Sequence, residues 1–404
     1  MNINGAAITG QVRGQPITGT IESGNIEATV RFGSQMTINL RGHVRGRRIK
    51  GTATIVEQKL TLDWSARQEP QRMSAPRIHI FEPSRFHHFF RSDVAPVLRV
   101  RPGDTVETWS LDACGSDSRG VRRTIGGNPL TGPFFIEGAV PGDTLEIRLT
   151  RLKLNRDTAI SSSVMTNKAI DPSYIEQRGR LADKDIAWRL DRENGFAFLD
   201  KPTKLLKSCR VKLAPMLGCV GVAPSDGMKL GSVHLGEFGG NLDYRDLGEG
   251  VTVYLPVFVP GAFLFVGDGH AAQGDGELLS NGLETSMAIT FRVGLKRDAG
   301  PASPRLENSS HFMASGIGGS LEEALRRATT NLSRWLEKIY GFDPIEVSCV
   351  LGTSMTYDIA EIVNPSFHVV AKVSKTDLAA MTGDPVKSHG PGDRAVPPRF
   401  PANS

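Results

Sequence analysis

The run VTVYLPVFVPGAFLFV, from Val251 to Val266, limits what this chain can become more than any other stretch of its sequence. β-Branched, aromatic and aliphatic residues follow one another, with prolines and a glycine where strands bend or end. A run so short and so broken does not span a membrane, and it predicts a pair of strands buried in a packed sheet. It leads into GDGHAAQGDGE, from Gly267 to Glu277, which gathers two aspartates, one histidine and one glutamate among small residues. Asp-Gly turns alone would account for such a loop without any chemistry. A loop held at the end of a rigid sheet is, however, where reacting groups are commonly carried.

The start of the chain has its own rhythm. ITGQVRG, ITGTIES, IEATVRF, MTINLRG, IKGTATI and LTLDWSAR are six short alternating segments closed by turns, and they predict a small antiparallel β-meander module over residues 1–68. QEPQRMSAPR then reads as a linker, placed at 69–78, before a main body at 79–375. Within that body VRPGDTVETWSL and AVPGDTLEIRLT repeat a Pro-Gly-Asp turn that launches an alternating strand, as in an internally similar sandwich. PMLGCVGVAP and LETSMAITFRVGL read as strands and GEFGGNLDYRDLGEG as a glycine-rich loop, while Lys168 to Lys207 has no clean period and reads as a connecting excursion. SLEEALRRATTNLSRWLEKIYG is the one strong helix. Ser320 and Glu323 form a capping box, Leu321, Ala324, Leu325, Ala328, Leu332, Trp335, Leu336 and Ile339 share a face, and Gly341 is the stop. A proline-rich tail follows at 376–404.

Glycine at 44 and proline at 24, with only 7% aromatic residues, suit many turns between short strands and a mainly β fold. The 39% hydrophobic and 23% charged fractions exclude a wholly disordered or membrane-embedded chain. The net charge is only +5, and the one dense basic cluster, Arg41 to Lys50, lacks interleaved aromatics; neither a nucleic acid nor a membrane is expected as a partner. Cys114, Cys209, Cys219 and Cys349 have no CxxC spacing, which suits free thiols in a reducing compartment. MNINGAAITGQV carries neither a basic nor an apolar leader region, and the expectation is a cytoplasmic protein.

Taken in order, NPLTGPFFIEGAVPGDTLEI, PMLGCVGVAP, FGGNLDYRDL, VYLPVFVPGAFLFVGDGHAAQGDGE and LETSMAITF closely resemble the acetamidase/formamidase family of amidohydrolases, over about residues 79 to 375. The resemblance implies an antiparallel β-sandwich core with few helices, cleavage of a short-chain amide to carboxylate and ammonia, an associated divalent metal and a homo-oligomer. The early module has no counterpart in compact members of the family, and LDACGSDSRGV follows the family's strand-end pattern only in part.

Amide hydrolysis needs an attacking water, a polarised carbonyl and a proton for the leaving nitrogen. A divalent metal supplies the first two; a histidine with carboxylates suits zinc, with calcium, which prefers oxygens alone, as the alternative. Asp268 and His270, two residues apart and so on one side of an extended segment, are assigned with Asp112 as metal ligands. Glu277 is the expected proton carrier, with Asp243 and Glu284 as further catalytic candidates, either as base or as groups orienting the site. Gly239, Gly240, Gly267 and Gly269 would bring backbone N–H groups to the substrate, and His88 of FHHFF is a substrate-side contact. Two other readings stay open: a Cys114 nucleophile, and a non-catalytic or divergent β-sandwich binding protein on the same scaffold.

Overall fold

The computed structural model describes residues 2–4, 7–12, 15–33, 36–45, 48–67, 75–297 and 300–383. Its first sheet is an antiparallel meander of seven strands in chain order, from Asn2–Asn4 to Leu60–Arg67. Six are the segments that the alternation marks; Asn2–Asn4 is added at the edge. Ile17 and Ile21 stand opposite Val30 and Ile26, and all four are buried with Ile8 and Ala28 in a core of the sheet's own. At Gly19 a Cβ would stand 2.2 Å from Glu27 O, and at Gly51 1.9 Å from Arg41 O. Glycine at such points lets neighbouring strands crowd, and this is how a sheet curls over its own apolar face.

The body is a β-sandwich. A nine-stranded and a six-stranded sheet share one apolar core, in which Phe134 of Leu130–Ile136 meets Phe291 of Met287–Lys296 edge-on, ring centroids 5.3 Å apart. Pairing is antiparallel except at two edges, where Ile78–Ile80 runs parallel to Thr105–Ser110 and Leu98–Val100 parallel to Leu130–Ile136. The strands launched by the two Pro-Gly-Asp turns, Thr105–Ser110 and Thr144–Leu154, flank Met287–Lys296 on either side. The long apolar run divides between the sheets: Thr252–Pro256 belongs to the nine-stranded one, Leu264–His270 to the six-stranded one. That second strand does not stop at Val266. It continues through Gly267, Asp268, Gly269 and His270, all buried, so the first half of the expected loop is sheet.

The helix Leu321–Tyr340 is capped by Ser320, whose Oγ accepts from Glu323 N at 3.2 Å, and ends on left-handed Gly341. The reciprocal half of the box is absent, because Glu323 Oε2 takes the Gly319 N–H instead. Leu332, Trp335 and Leu336 are buried, whereas Leu321 and Leu325 are exposed, so the apolar stripe is narrower than its spacing predicts. A second helix, Pro344–Ser354, follows with a complete Asp343/Glu346 capping box that the sequence reading missed. The 168–207 excursion holds a short helix, Pro172–Arg178, and strands Ile186–Asp191 and Phe196–Leu199 of a four-stranded sheet. Of the expected linker only 75–78 are described, and of the expected tail only 376–383, where the helix Lys375–Thr382 packs Leu378 inward. No helix among the described residues is long and apolar enough to cross a membrane.

Candidate active site

Four short pieces of chain meet at the end of Leu264–His270. That strand brings Asp268 and His270; the turn after Gly239–Asn241 brings Asp243; the segment 275–277 brings Glu277; and Glu284 arrives through a bridge that pairs it with His270. All five side chains are buried, His270 and Asp243 completely. Ligand atoms of Asp243, Asp268 and His270 lie within 4.8 Å of one another, as do those of His270, Glu277 and Glu284. His270 Nε2 stands 3.0 Å from Glu284 Oε1 and 3.4 Å from Asp268 Oδ1. Asp268 and His270 do meet on one side, although Asp268 has φ of 58° and the segment is not the extended one that the two-residue argument assumes.

The local backbone is unusual. Asn128, Asp243, Asp268 and Glu277 have φ of 55°, 39°, 58° and 50°, a region in which side chains other than glycine are strained. Opposite Asp268 sits Gly218 of Met216–Gly221, and a Cβ there would stand 2.4 Å from both Asp243 Oδ1 and Asp268 Oδ2. Only glycine leaves room for the two carboxylates to meet over that strand.

Each charged group is half tied down. Asp243 Oδ2 accepts from Asn241 and Asn364 at 2.5 and 2.7 Å, Asp268 Oδ2 from Asn128 at 3.0 Å, and Glu284 Oε1 from Gly282 N at 2.9 Å. Their other oxygens, Asp243 Oδ1, Asp268 Oδ1 and Glu284 Oε2, take no well-aligned hydrogen bond, and His270 Nε2 meets only the carboxylate oxygens of Glu284 and Asp268. Buried polar atoms are ordinarily satisfied, so this many under-satisfied oxygens around one imidazole nitrogen fit a group that the donors share. Carboxylate oxygens with one imidazole nitrogen suit a divalent cation.

Burial raises the Asp243 carboxyl above the usual range, and the neighbouring Asp268 charge raises it further; Asp268 is raised by burial and by Glu284. Glu277 is pushed well up by burial and then by Asp243. Burial works against the charged form of His270, but Glu284 and Asp268 outweigh it and lift the imidazole well above its ordinary value.

Other assignments need correction. Asp112 is not in the cluster: its Oδ2 accepts from Arg156 Nη2 at 2.8 Å and its Oδ1 from Ser116 N at 2.8 Å, so both oxygens are engaged. His88 is half-buried and directs Nε2 to Ile125 O at 3.1 Å. Gly239 and Gly240 are paired inside the six-stranded sheet, where a Cβ would meet Val220 O at 2.3 Å and His234 O at 2.2 Å. Pro129 O and Thr285 O stand against Gly267 and Gly269 in the same way. Neighbouring backbone, not a ligand, accounts for these four glycines. The Cys114 thiol is raised by burial and by the Asp112 charge, the opposite of an activated nucleophile, and all four cysteines are free. Gly218, Asn128, Asn241, Gln273 and Asn364 are site residues that the sequence reading missed; all but Asn364 lie within the segments it singled out.

Residues 231–373 match the model of the Acetamidase/Formamidase family. A Schizosaccharomyces pombe protein with a provisional formamidase name is 35% identical over 303 residues, covering 59% of this chain and 73% of that protein. The Methylophilus methylotrophus formamidase is 28% identical over 348 residues, covering 66% of this chain and 83% of its own. Among solved structures, an acetamidase from Bacillus halodurans superposes with a TM-score of 0.64 at 26% identity, 74% of this chain accounting for 99% of that one. The chain belongs to the acetamidase/formamidase family, hydrolases that act on linear amides.

Proposed function

We propose that the chain hydrolyses a small aliphatic amide of the formamide or acetamide class to a carboxylate and ammonia at the buried acid-histidine cluster. The observation that supports this most is the buried gathering of under-satisfied oxygens, Asp243 Oδ1, Asp268 Oδ1 and Glu284 Oε2, around His270 Nε2 in a chain of an amide-hydrolase family. Asp243, Asp268 and His270 are the residues to hold a divalent cation, zinc by the donor types, with Glu284 beside the same His270 nitrogen, Nε2. A cation held there would polarise the amide carbonyl and acidify a water. Glu277, raised by its neighbours, is suited to accept the proton of the attacking water and return it to the nitrogen as the C–N bond breaks. Strained backbone at Asp243, Asp268 and Glu277 keeps these groups aimed before substrate arrives. A homo-oligomeric assembly in the cytoplasm belongs to the same reading, and light scattering on the purified protein checks the assembly.

Ammonia release from formamide, acetamide, propionamide and a bulkier amide, before and after chelation and zinc add-back, is the test. Turnover of the shortest amides that is lost on chelation and regained with zinc is expected. Silence on every amide from folded, zinc-loaded protein would overturn the reaction, and full activity after complete chelation would overturn the role of the cation.

A further inference from the structure

We propose that Gln273 is a positioning residue that keeps a proton on His270 Nδ1 and so leaves Nε2, the nitrogen turned to the acids, as the one that can give up its proton to a cation; the inference rests on the cation reading above for its purpose, though not for its geometry. The Gln273 amide has a donor end and an acceptor end, and its surroundings decide which is which. Its Nε2 stands 2.6 Å from Asp243 O and 3.4 Å from Ala360 O. Both are backbone carbonyls, which only accept, so the NH2 group belongs there. The remaining end, Oε1, lies 2.8 Å from His270 Nδ1 and has no proton to give. His270 Nδ1 must therefore bring the proton. The nitrogen left to face Glu284 and Asp268 is Nε2, which those acids favour protonated while no cation is present and which is the one free to lose its proton when a cation takes its place.

One side chain thus fixes two groups of the cluster. It sets the protonation pattern of His270 and, through the bond to Asp243 O, ties the ring to the left-handed turn that aims the Asp243 carboxylate. Ligating histidines in general have the far nitrogen bonded to an oriented acceptor, and loss of that acceptor weakens metal binding. Gln273 does this from only three residues along the chain, beyond the last residue of the strand Leu264–His270.

The test uses full-length protein carrying 15N in its histidine imidazoles, with His270 assigned by its missing signal in His270→Asn. Native protein is compared with Gln273→Met, which has no acceptor, and Gln273→Glu, which keeps one, first free of metal and then with zinc. In metal-free native protein a protonated Nδ1 that exchanges slowly with water is expected. In Gln273→Met that protection is lost and zinc affinity falls roughly 10- to 100-fold; in Gln273→Glu the protection returns. An unprotonated Nδ1 in the native protein, or equal protection in Gln273→Met, overturns the proposal. Should Gln273→Met not fold, Gln273→Glu decides alone: a carboxylate accepting this bond moves the Nδ1–H resonance, and an unmoved resonance overturns it. Native protein with no measurable zinc affinity would sink the cation reading, while the metal-free spectra still decide on Gln273.

Discussion

Two carboxylates meet above Gly218 because nothing projects from its Cα, and that makes the position more exacting than any single acid of the cluster. Gly218→Ala places a methyl against Asp243 and Asp268. Overpacking of this kind costs about 1–3 kcal/mol of stability, and zinc affinity measured by calorimetric titration should drop about 10- to 100-fold; native affinity in this variant would show that the two oxygens do not need that space. Glu277→Gln is expected to keep the fold and to lower kcat roughly 10²- to 10⁴-fold, read as ammonia release beside a melting curve; unchanged kcat would remove Glu277 as the proton carrier. At this scale Asp268, His270 and Glu277 could be singled out because one eleven-residue stretch holds all three inside a motif that resembles the family's. Asn364 was not, since it reaches Asp243 from 121 positions away and only the fold brings them together. Asp112 was misread for the same reason: the Arg156 that neutralises it comes from another part of the chain.

Among the elements, Phe367–Ser374 carries a titratable group sealed inside the body. His368 is fully buried, donating from Nδ1 to Leu242 O at 2.7 Å with Nε2 2.9 Å from Ser315 Oγ, and burial lowers its pKa from 6.5 to about 4. An unfolded chain takes up this proton below about 6.5 and the folded chain only near 4, so the folded state loses ground as pH falls through that window. The loss amounts to roughly 3 kcal/mol when complete. Denaturant midpoints recorded from pH 7 to pH 4 should fall less steeply for His368→Gln than for the native protein; parallel curves would show that His368 does not set this dependence. Elements with a clean period were readable: the alternation of the early strands and the spacing of Leu332, Trp335 and Leu336 are direct images of burial. Pro344–Ser354 was lost because its buried residues, Val347, Val350 and Leu351, form too brief a stripe beside the longer helix before it.

At the scale of the molecule, the curled meander and the sandwich have separate cores that share no residue. Three quarters of this chain already accounts for nearly the whole Bacillus halodurans acetamidase. Removing residues 1–68 is therefore expected to leave the sandwich folded and its amidase activity intact, as followed by ammonia release and melting temperature; lost activity in a folded body of unchanged oligomeric state would make the module part of the working site. The six early strands could be read from the rhythm along the chain, but that the buried run splits between two sheets could not, since the sequence marks where strands lie and not which sheet each joins. Every donor of the cluster lies beneath the surface, roofed in part by the segment that carries Glu277, which is pinned by Thr166 N to Leu278 O at 2.7 Å and Ile362 N to Gly276 O at 3.2 Å. Exchange with solvent has to wait for those bonds to part, so removal of a bound ion by a chelator should level off as chelator is raised, at a ceiling set by how often the protein itself breathes.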